Sequence, residues 1–298
     1  MLVERITPSG VLVLKSALLE RAGFAHGFST RIGGVSVAPF DALNLQSSRA
    51  NAELADGERD LASNLAENRA RFACAAGLAT DARIAEVSQV HGNAVARTRD
   101  AILTRTFADA MTSMPGDPAA LVRIADCVPI LIACPSNGMV AAVHAGWRGV
   151  VAEVVLAAID ALRQEGCDIS RALAAVGPCI RGAHFEIGDE VADALRNANL
   201  AACLAPTRNA QGKLHADLAL AVRVQLERAG VPTDNIDADP PCTFADAARF
   251  FSYRRDGARS GRLAAVIAAT SLHRTPHPSL STTDPPSSTP PHRPSTTP

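Results

Sequence analysis

The stretch Val128-Pro-Ile-Leu-Ile-Ala-Cys134, followed by Val140-Ala-Ala-Val-His144 and Ala145-Gly-Trp-Arg-Gly149, decides the fold class. Two short apolar runs bounded by turn residues read as strands. From residue 150 to 164 the period changes. Val151, Val154, Val155, Ile159 and Leu162 recur at helical spacing, and Gly166 is a stop. The same mixture continues on either side. Residues 11–15, 84–90, 172–176 and 263–268 read as further strands. Leu61, Leu65, Phe72 and Ala76 share one helical face, interrupted by Asn68, and Asp217 caps a helix that carries Leu218, Val222 and Leu226 and ends at Gly230. Strands interleaved with helices give an α/β (mixed α+β) domain, with a strand order that the pattern does not fix.

Composition narrows the class. The 298 residues allow one large domain or two ordinary ones. A formal net charge of -1 argues against a nucleic-acid partner, which would ask for a basic surplus. The longest apolar run, residues 127–134, is far short of the roughly 20 residues that span a bilayer, so no membrane segment is expected. With no export signal in view, the expected compartment is cytoplasmic. Seven cysteines, widely spaced and without a C-x-x-C pair, read as neither a disulfide framework nor a zinc ribbon; most are expected as buried thiols. From Thr275 to Pro298, 19 of 24 residues are Pro, Ser or Thr, so residues 272–298 read as a disordered tail. Residues 1–271 are then the folded body.

Candidate chemistry gathers at the ends of the apolar runs. His144 closes one strand and leads through a glycine turn to a helix, an arrangement that offers backbone N–H groups to an anion. Arg148 in that turn would add a guanidinium fork; the competing reading is a tight turn with Arg148 in solvent. Cys127 follows Asp126 at the mouth of another strand, so the two side chains are expected on opposite faces. His91 ends Ser88-Gln-Val-His-Gly92. If these ends meet, they supply two imidazoles and a thiolate, the three-ligand layout of catalytic zinc. The spacings of 36 and 17 residues match no local metal motif. Of the other histidines in the body, His184 reads as a turn residue, His215 as part of an exposed strand, and His26 as either pocket wall or structure.

Taken together, the motifs resemble the YfiH family of laccase-domain proteins, whose members are described as polyphenol oxidases, peptidoglycan-editing factors and purine nucleoside phosphorylases. The resemblance rests on His26-Gly-Phe-Ser-Thr-Arg-Ile-Gly-Gly-Val-Ser36, Asn44-Leu45, Glu67-Asn-Arg69, Gln89-Val-His-Gly92 and Ala108-Asp-Ala110. It continues through Ala125-Asp-Cys-Val-Pro-Ile-Leu131, Ala142-Val-His-Ala-Gly-Trp-Arg-Gly149, Gly177-Pro-Cys-Ile180, Phe185-Glu-Ile-Gly188, Cys242-Thr243 and Phe250-Phe-Ser-Tyr-Arg-Arg-Asp-Gly257. It implies a single domain of two mixed β-sheets packed between helices, with His91, Cys127 and His144 as ligands of zinc, or of copper for an oxidase. It also implies phosphorolysis of adenosine, inosine and methylthioadenosine, with adenosine deamination as a second activity. Arg181, Gln46 and a longer segment over residues 46–56 depart from the family pattern at the pocket rim.

Within that reading Arg31 and Arg148 are the candidates to hold phosphate, with Arg254 and Arg255 in reserve, and Asp126 is the candidate proton carrier. The alternatives for these groups are surface ion pairs and a structural carboxylate. Two other functions stay open on the same residues. One is a copper-dependent polyphenol oxidase, although the five histidines of residues 1–271, with no His-x-His pair, cannot assemble a four-copper centre. The other is an amide hydrolase with Cys127 as nucleophile and His144 as base, in keeping with peptidoglycan editing. A structural metal site would need a fourth protein ligand such as Cys179 or Cys242.

Overall fold

A computed structural model describes residues 1–52 and 59–271. The proline-rich tail and part of the long rim segment lie outside the described residues. The strands, in chain order, are β1 (Leu2–Ile6), β2 (Leu12–Ser16), β3 (His26–Ser29), β4 (Ile84–Ala85), β5 (Val95–Arg97), β6 (Ala110–Ser113) and β7 (Ala119–Ile124). They continue as β8 (Val128–Ala133), β9 (Val140–Ala145), β10 (Leu173–Val176), β11 (Glu186–Ile187), β12 (Leu214–His215), β13 (Ile236–Asp237) and β14 (Leu263–Ile267). One six-stranded sheet runs β1-β2-β3-β14-β7-β4, and a second runs β13-β10-β8-β9-β6-β5. Both are mixed. Antiparallel pairs fill their centres, and the parallel pairs β4·β7, β5·β6 and β10·β13 lie at their edges.

The alternation of side chains along a strand explains how the sheets stack. In β7, Ala120, Val122 and Ile124 enter the core between the sheets, while Ala119 and Leu121 pack outward against helix Ala62–Ala76. In β8, Leu131 and Ala133 face the inter-sheet core, and Val128, Ile130 and Ile132 meet the helices on the far side. Those helices include Val154–Gln164, Asp189–Asn197 and Leu218–Arg228. The layering is therefore helix, sheet, sheet, helices in one domain, as the family resemblance implies. Phe28 fills the inter-sheet space opposite Gly177, where a Cβ would come within 2.1 Å of its ring. Truncating such a fully buried ring costs about 3–5 kcal/mol.

Several local expectations change. The run 84–90 is a strand only at Ile84–Ala85, because the amides of Val90, His91 and Gly92 turn to the Asp109 carboxylate instead of a sheet partner. The helix expected from residue 150 begins at Trp147, ends at Val151 and restarts as Val154–Gln164. The break is at Glu153, whose φ of 62° is left-handed and cannot continue a helix. Leu61 lies outside helix Ala62–Ala76 and is 64% exposed, whereas Asn68 is buried. Asn68 Oδ1 accepts from the Val35 amide, and Nδ2 donates to Ser36 Oγ and to the carbonyls of Ala42 and Asn44. It thereby ties residues 35–44 to the helix. Asp217 caps helix Leu218–Arg228 as expected, accepting from the Leu220 amide.

Not all the cysteines are free. Cys134 and Cys167 form a disulfide across 33 residues. The helix that follows β9 runs back along the sheet and brings residue 167 beside the end of β8, a proximity that spacing in the sequence does not reveal.

Candidate metal centre

Strand register assembles the site. β8 and β9 are antiparallel, with Pro129 opposite His144 and Val128 opposite Ala145. The start of β8, just after Cys127, therefore lies beside the end of β9, which carries His144. On the other side of β9, Ala110 pairs with Val143, so Asp109 abuts His144 and its carbonyl accepts the His144 amide at 2.7 Å. Asp109 in turn gathers the loop that carries His91. Its carboxylate accepts the amides of Val90 (3.2 Å), His91 (2.9 Å) and Gly92 (2.7 Å).

The three ligand-capable atoms of His91, Cys127 and His144 lie within 4.8 Å of one another. His91 Nε2 is 3.9 Å from Cys127 Sγ, and the two imidazoles meet edge to face with centroids 4.9 Å apart. Two imidazoles and a thiol suit a borderline or soft cation. Tetrahedral zinc with bonds of about 2.0–2.3 Å sets its ligands roughly 3.4–3.8 Å apart, so the donor set is compatible with a metal after a small closure. Among the described residues, this is the one cluster of three or more His, Cys or carboxylate groups placed for a cation. Gly146 makes the convergence possible. A Cβ there would come 2.8 Å from His91 Cδ2 and 3.1 Å from Cys127 Sγ.

Charge within the cluster is strongly coupled. Burial alone would raise the Cys127 thiol, but His144 and His91 outweigh it and bring it down to about 6. Burial would lower His144, but Cys127 and the Asp109 carboxylate raise it to about 9. Asp109 is fully buried, which favours its neutral form. The hydrogen bonds from His144 and from the Gly92 and His91 amides nevertheless hold it below the usual carboxylate range. Because Asp109 Oδ1 takes His144 Nδ1 at 2.8 Å, the other ring nitrogen, Nε2, is left for the cluster. Asp109 was not singled out from the sequence; the only signal was its place in Ala108-Asp-Ala110.

All three donors line a cleft of about 1220 Å³ between the sheet ends, which also includes Gln89, Phe107, Tyr253, Arg69, Arg105, Arg123 and Arg262. The four arginines singled out from the sequence stand elsewhere, and none lines this cleft. Arg31 stacks over Phe251, donates to the carbonyls of Asp41 and Ala247, and pairs with the Asp41 carboxylate. Arg148 is exposed and stacked on Trp147. Arg254 donates to the Glu186 carbonyl and lies over Phe185. Arg255 pairs with Asp256 and donates to the carbonyls of Thr243, Phe244 and Phe250.

Asp126 does not sit on the strand as expected. Its φ of 89° places it in the turn before β8, and its carboxylate accepts from Thr243 Oγ1 (2.6 Å), Ser252 Oγ (3.0 Å) and the Arg254 amide (2.7 Å). It ties three segments together. His26 is a structural residue, fully buried, with Nε2 accepting the Ser16 amide. His184 stacks on Phe244 in a turn, and His215 lies in β12, half-buried.

Comparison with known proteins gives the family. Residues 25–270 match the family described as multi-copper polyphenol oxidoreductase laccase. The chain belongs to this laccase-domain, or YfiH, family. Among the relatives of this YfiH-family chain is a purine nucleoside phosphorylase of Deinococcus radiodurans, 38% identical over 251 residues that cover 81% of this chain and 88% of that protein. Another from Pseudomonas aeruginosa is 36% identical, covering 80% and 90%. An adenosine deaminase from an unknown prokaryote is 42% identical over 142 residues, 47% of this chain and 54% of that protein. The crystal structure of YlmD from Geobacillus stearothermophilus superposes with a TM-score of 0.75 at 28% identity, covering 91% of this chain and all of YlmD. No helix among the described residues is long and apolar enough to cross a membrane.

Proposed function

We propose that this chain is a cytoplasmic, metal-dependent purine nucleoside phosphorylase for adenosine, inosine and methylthioadenosine, with adenosine deamination as a second activity. The observation that carries the reading is the convergence of His91, Cys127 and His144 in the wall of a cleft ample for a nucleoside. Relatives named for phosphorolysis and deamination support it. The three side chains would hold zinc, with copper the alternative, and leave a position open to water or substrate. A cation bound there supplies Lewis-acid stabilisation of charge building on the purine.

The chain's own residues supply the rest. Asp109 fixes the tautomer and aim of His144 and the path of the His91 loop. Gly146 leaves the space in which His91 and Cys127 approach each other. Phe107 and Tyr253, each 53% exposed at the cleft, offer flat apolar faces suited to a purine. In phosphorolysis the C1′–N9 bond breaks with its electron pair going to the purine, N9 takes up a proton, and a phosphate oxygen bonds to C1′.

The test incubates the protein with adenosine and phosphate and separates the products. Adenine or hypoxanthine together with ribose-1-phosphate is the expected outcome. Inosine alone would reduce the activity to deamination, and no turnover by metal-loaded protein would refute the reading.

One observation favours a second reading: His144 and His91 draw the Cys127 thiol down to about 6 while Cys127 and Asp109 raise His144 to about 9, the directions that favour a thiolate beside an imidazolium, as in nucleophiles that attack amides. A metal-bound thiolate is a poor nucleophile. Rapid alkylation of Cys127 in active, metal-free protein would refute the ligand role of Cys127 and leave it free to act as a nucleophile.

A further inference from the structure

Among the described residues, two arginines of the cleft, Arg105 and Arg262, have no carboxylate partner, and of these Arg105 is exposed while Arg262 is half-buried. Of the cleft's four arginines, Arg69 and Arg123 both pair with Glu86, Arg123 through Nη2 at 2.6 Å from Oε2. Arg105 lies over the Phe107 ring. Arg262 differs. Its Nη1 donates to the carbonyls of Ser260 (2.7 Å) and Gly261 (3.2 Å), and among the described residues no carboxylate pairs with it. Its Nε and Nη2 hydrogens, one edge of the guanidinium plane, make no hydrogen bond to the described residues.

This side chain is also firmly placed. The Arg262 amide donates to Asn44 Oδ1 and its carbonyl accepts the Leu45 amide, both at 2.9 Å. β14 starts at the next residue, so the backbone belongs to a sheet and not to a free loop. The guanidinium sits 5.8 Å from the Tyr253 ring centre, and the Tyr253 side chain lines the same cleft. Burial weakens the hold of Arg262 on its proton; Tyr253, Cys127 and Asp126 oppose that loss, and Cys127 is itself one of the three donors. Arg262 and the three donors line the same cleft.

A half-buried guanidinium without a counter-charge is costly, and an anion that bonds its open edge removes that cost. Two parallel N–H groups match two oxygens of a phosphate. We infer that Arg262 is the clamp for the phosphate that attacks the nucleoside, bonded through its Nε and Nη2 edge. The inference rests on the phosphorylase reading. It assigns to Arg262 the role that the sequence suggested for Arg31, Arg148, Arg254 and Arg255. The shared chemistry is a phosphate dianion, and its source is the free inorganic ion.

The experiment measures initial rates for wild type, Arg262→Gln and Arg262→Lys in the metal-loaded enzyme, varying inorganic phosphate at saturating adenosine and then adenosine at saturating phosphate. Loss of a charge-assisted, two-pronged contact is expected to raise the phosphate KM of Arg262→Gln by about 10–100-fold, with a much smaller change in the adenosine KM. Arg262→Lys, which keeps the charge but not the fork, is expected in between. Inorganic phosphate is expected to raise the thermal midpoint of wild type and not that of Arg262→Gln, a reading that needs folded protein but no turnover. An unchanged phosphate KM, or equal phosphate stabilisation in both proteins, would overturn the assignment to Arg262. Turnover of adenosine 5′-phosphate without added phosphate, lost in Arg262→Gln, would assign the clamp to the substrate's own phosphate and overturn it too. Wild type with no phosphate-dependent turnover at all would instead reject the phosphorylase reading.

Discussion

Asp109 Oδ1 accepts a hydrogen bond from His144 Nδ1 at 2.8 Å, and the same fully buried carboxylate accepts three consecutive amides around His91. One side chain therefore sets the position of two of the three donors. Asp109→Asn keeps the size but places an amide NH2 against N–H groups. Substitutions behind a metal-binding histidine typically lower affinity by about 10–100-fold, and that loss is expected here. Competition with a chelator of known affinity measures it. Wild-type affinity in a folded Asp109→Asn protein would show that the carboxylate is only structural.

Gly146 gives a steric test of the same centre. In Gly146→Ala the new methyl would lie 2.8 Å from His91 Cδ2 and 3.1 Å from Cys127 Sγ, so the imidazole must move. Metal affinity and turnover are expected to fall together, by at least about tenfold for a ligand displaced by roughly an ångström. Far-ultraviolet circular dichroism should match wild type. Full activity would mean that the His91 loop moves freely and that the close approach is incidental.

The pH dependence of metal binding follows from the coupled pair. Cys127 is drawn down to about 6 and His144 is raised to about 9, so between these values the metal-free pair is thiolate and imidazolium. A metal needs the thiolate and the neutral imidazole. It must therefore expel the His144 proton in this window, and both protons below it. Apparent affinity is expected to rise about tenfold per pH unit between these limits, with about one proton released per metal bound. Calorimetry in buffers of different ionisation enthalpy counts that proton. Binding without proton release at pH 7.5 would contradict the coupling.

Asn68 tests the wall of the cleft rather than its chemistry. Replacing it with Leu leaves the Val35 amide and the Ala42 and Asn44 carbonyls without this partner. The Ala42 carbonyl keeps the Ser36 amide, and loss of the remaining contacts is expected to destabilise the fold by about 2–4 kcal/mol. Urea unfolding checks the magnitude. Since the Asn44 side chain also receives the Arg262 amide, a raised phosphate KM at temperatures where the variant is folded is expected as well.

The sequence made the centre partly legible. Cys127 and His144 stood at the mouths of runs whose period identified strands, and the β8·β9 register then brought them together. Asp109 and Arg262 were not legible in this way. Each acts through partners distant in sequence: the loop at His91 for Asp109, and the Asn44–Leu45 segment for Arg262. Asn68 was visible as a flaw in an apolar stripe, but its meaning depends on the loop that folds over it. Conversely, the arginines in glycine turns attracted attention by composition. In the fold their guanidinium groups are stacked on aromatic rings or bonded to carbonyls and carboxylates. The Cys134–Cys167 pairing depended on the return path of a helix that the local pattern could only place as a helix.

The central claim is that His91, Cys127 and His144 hold a metal, and metal content per chain tests it most directly. Elemental mass spectrometry of exhaustively dialysed protein is expected to find about one zinc or copper per wild-type chain and almost none in Cys127→Ala, as for a catalytic site left with two ligands. Equal metal in both proteins, or none in an active wild type, would contradict the account.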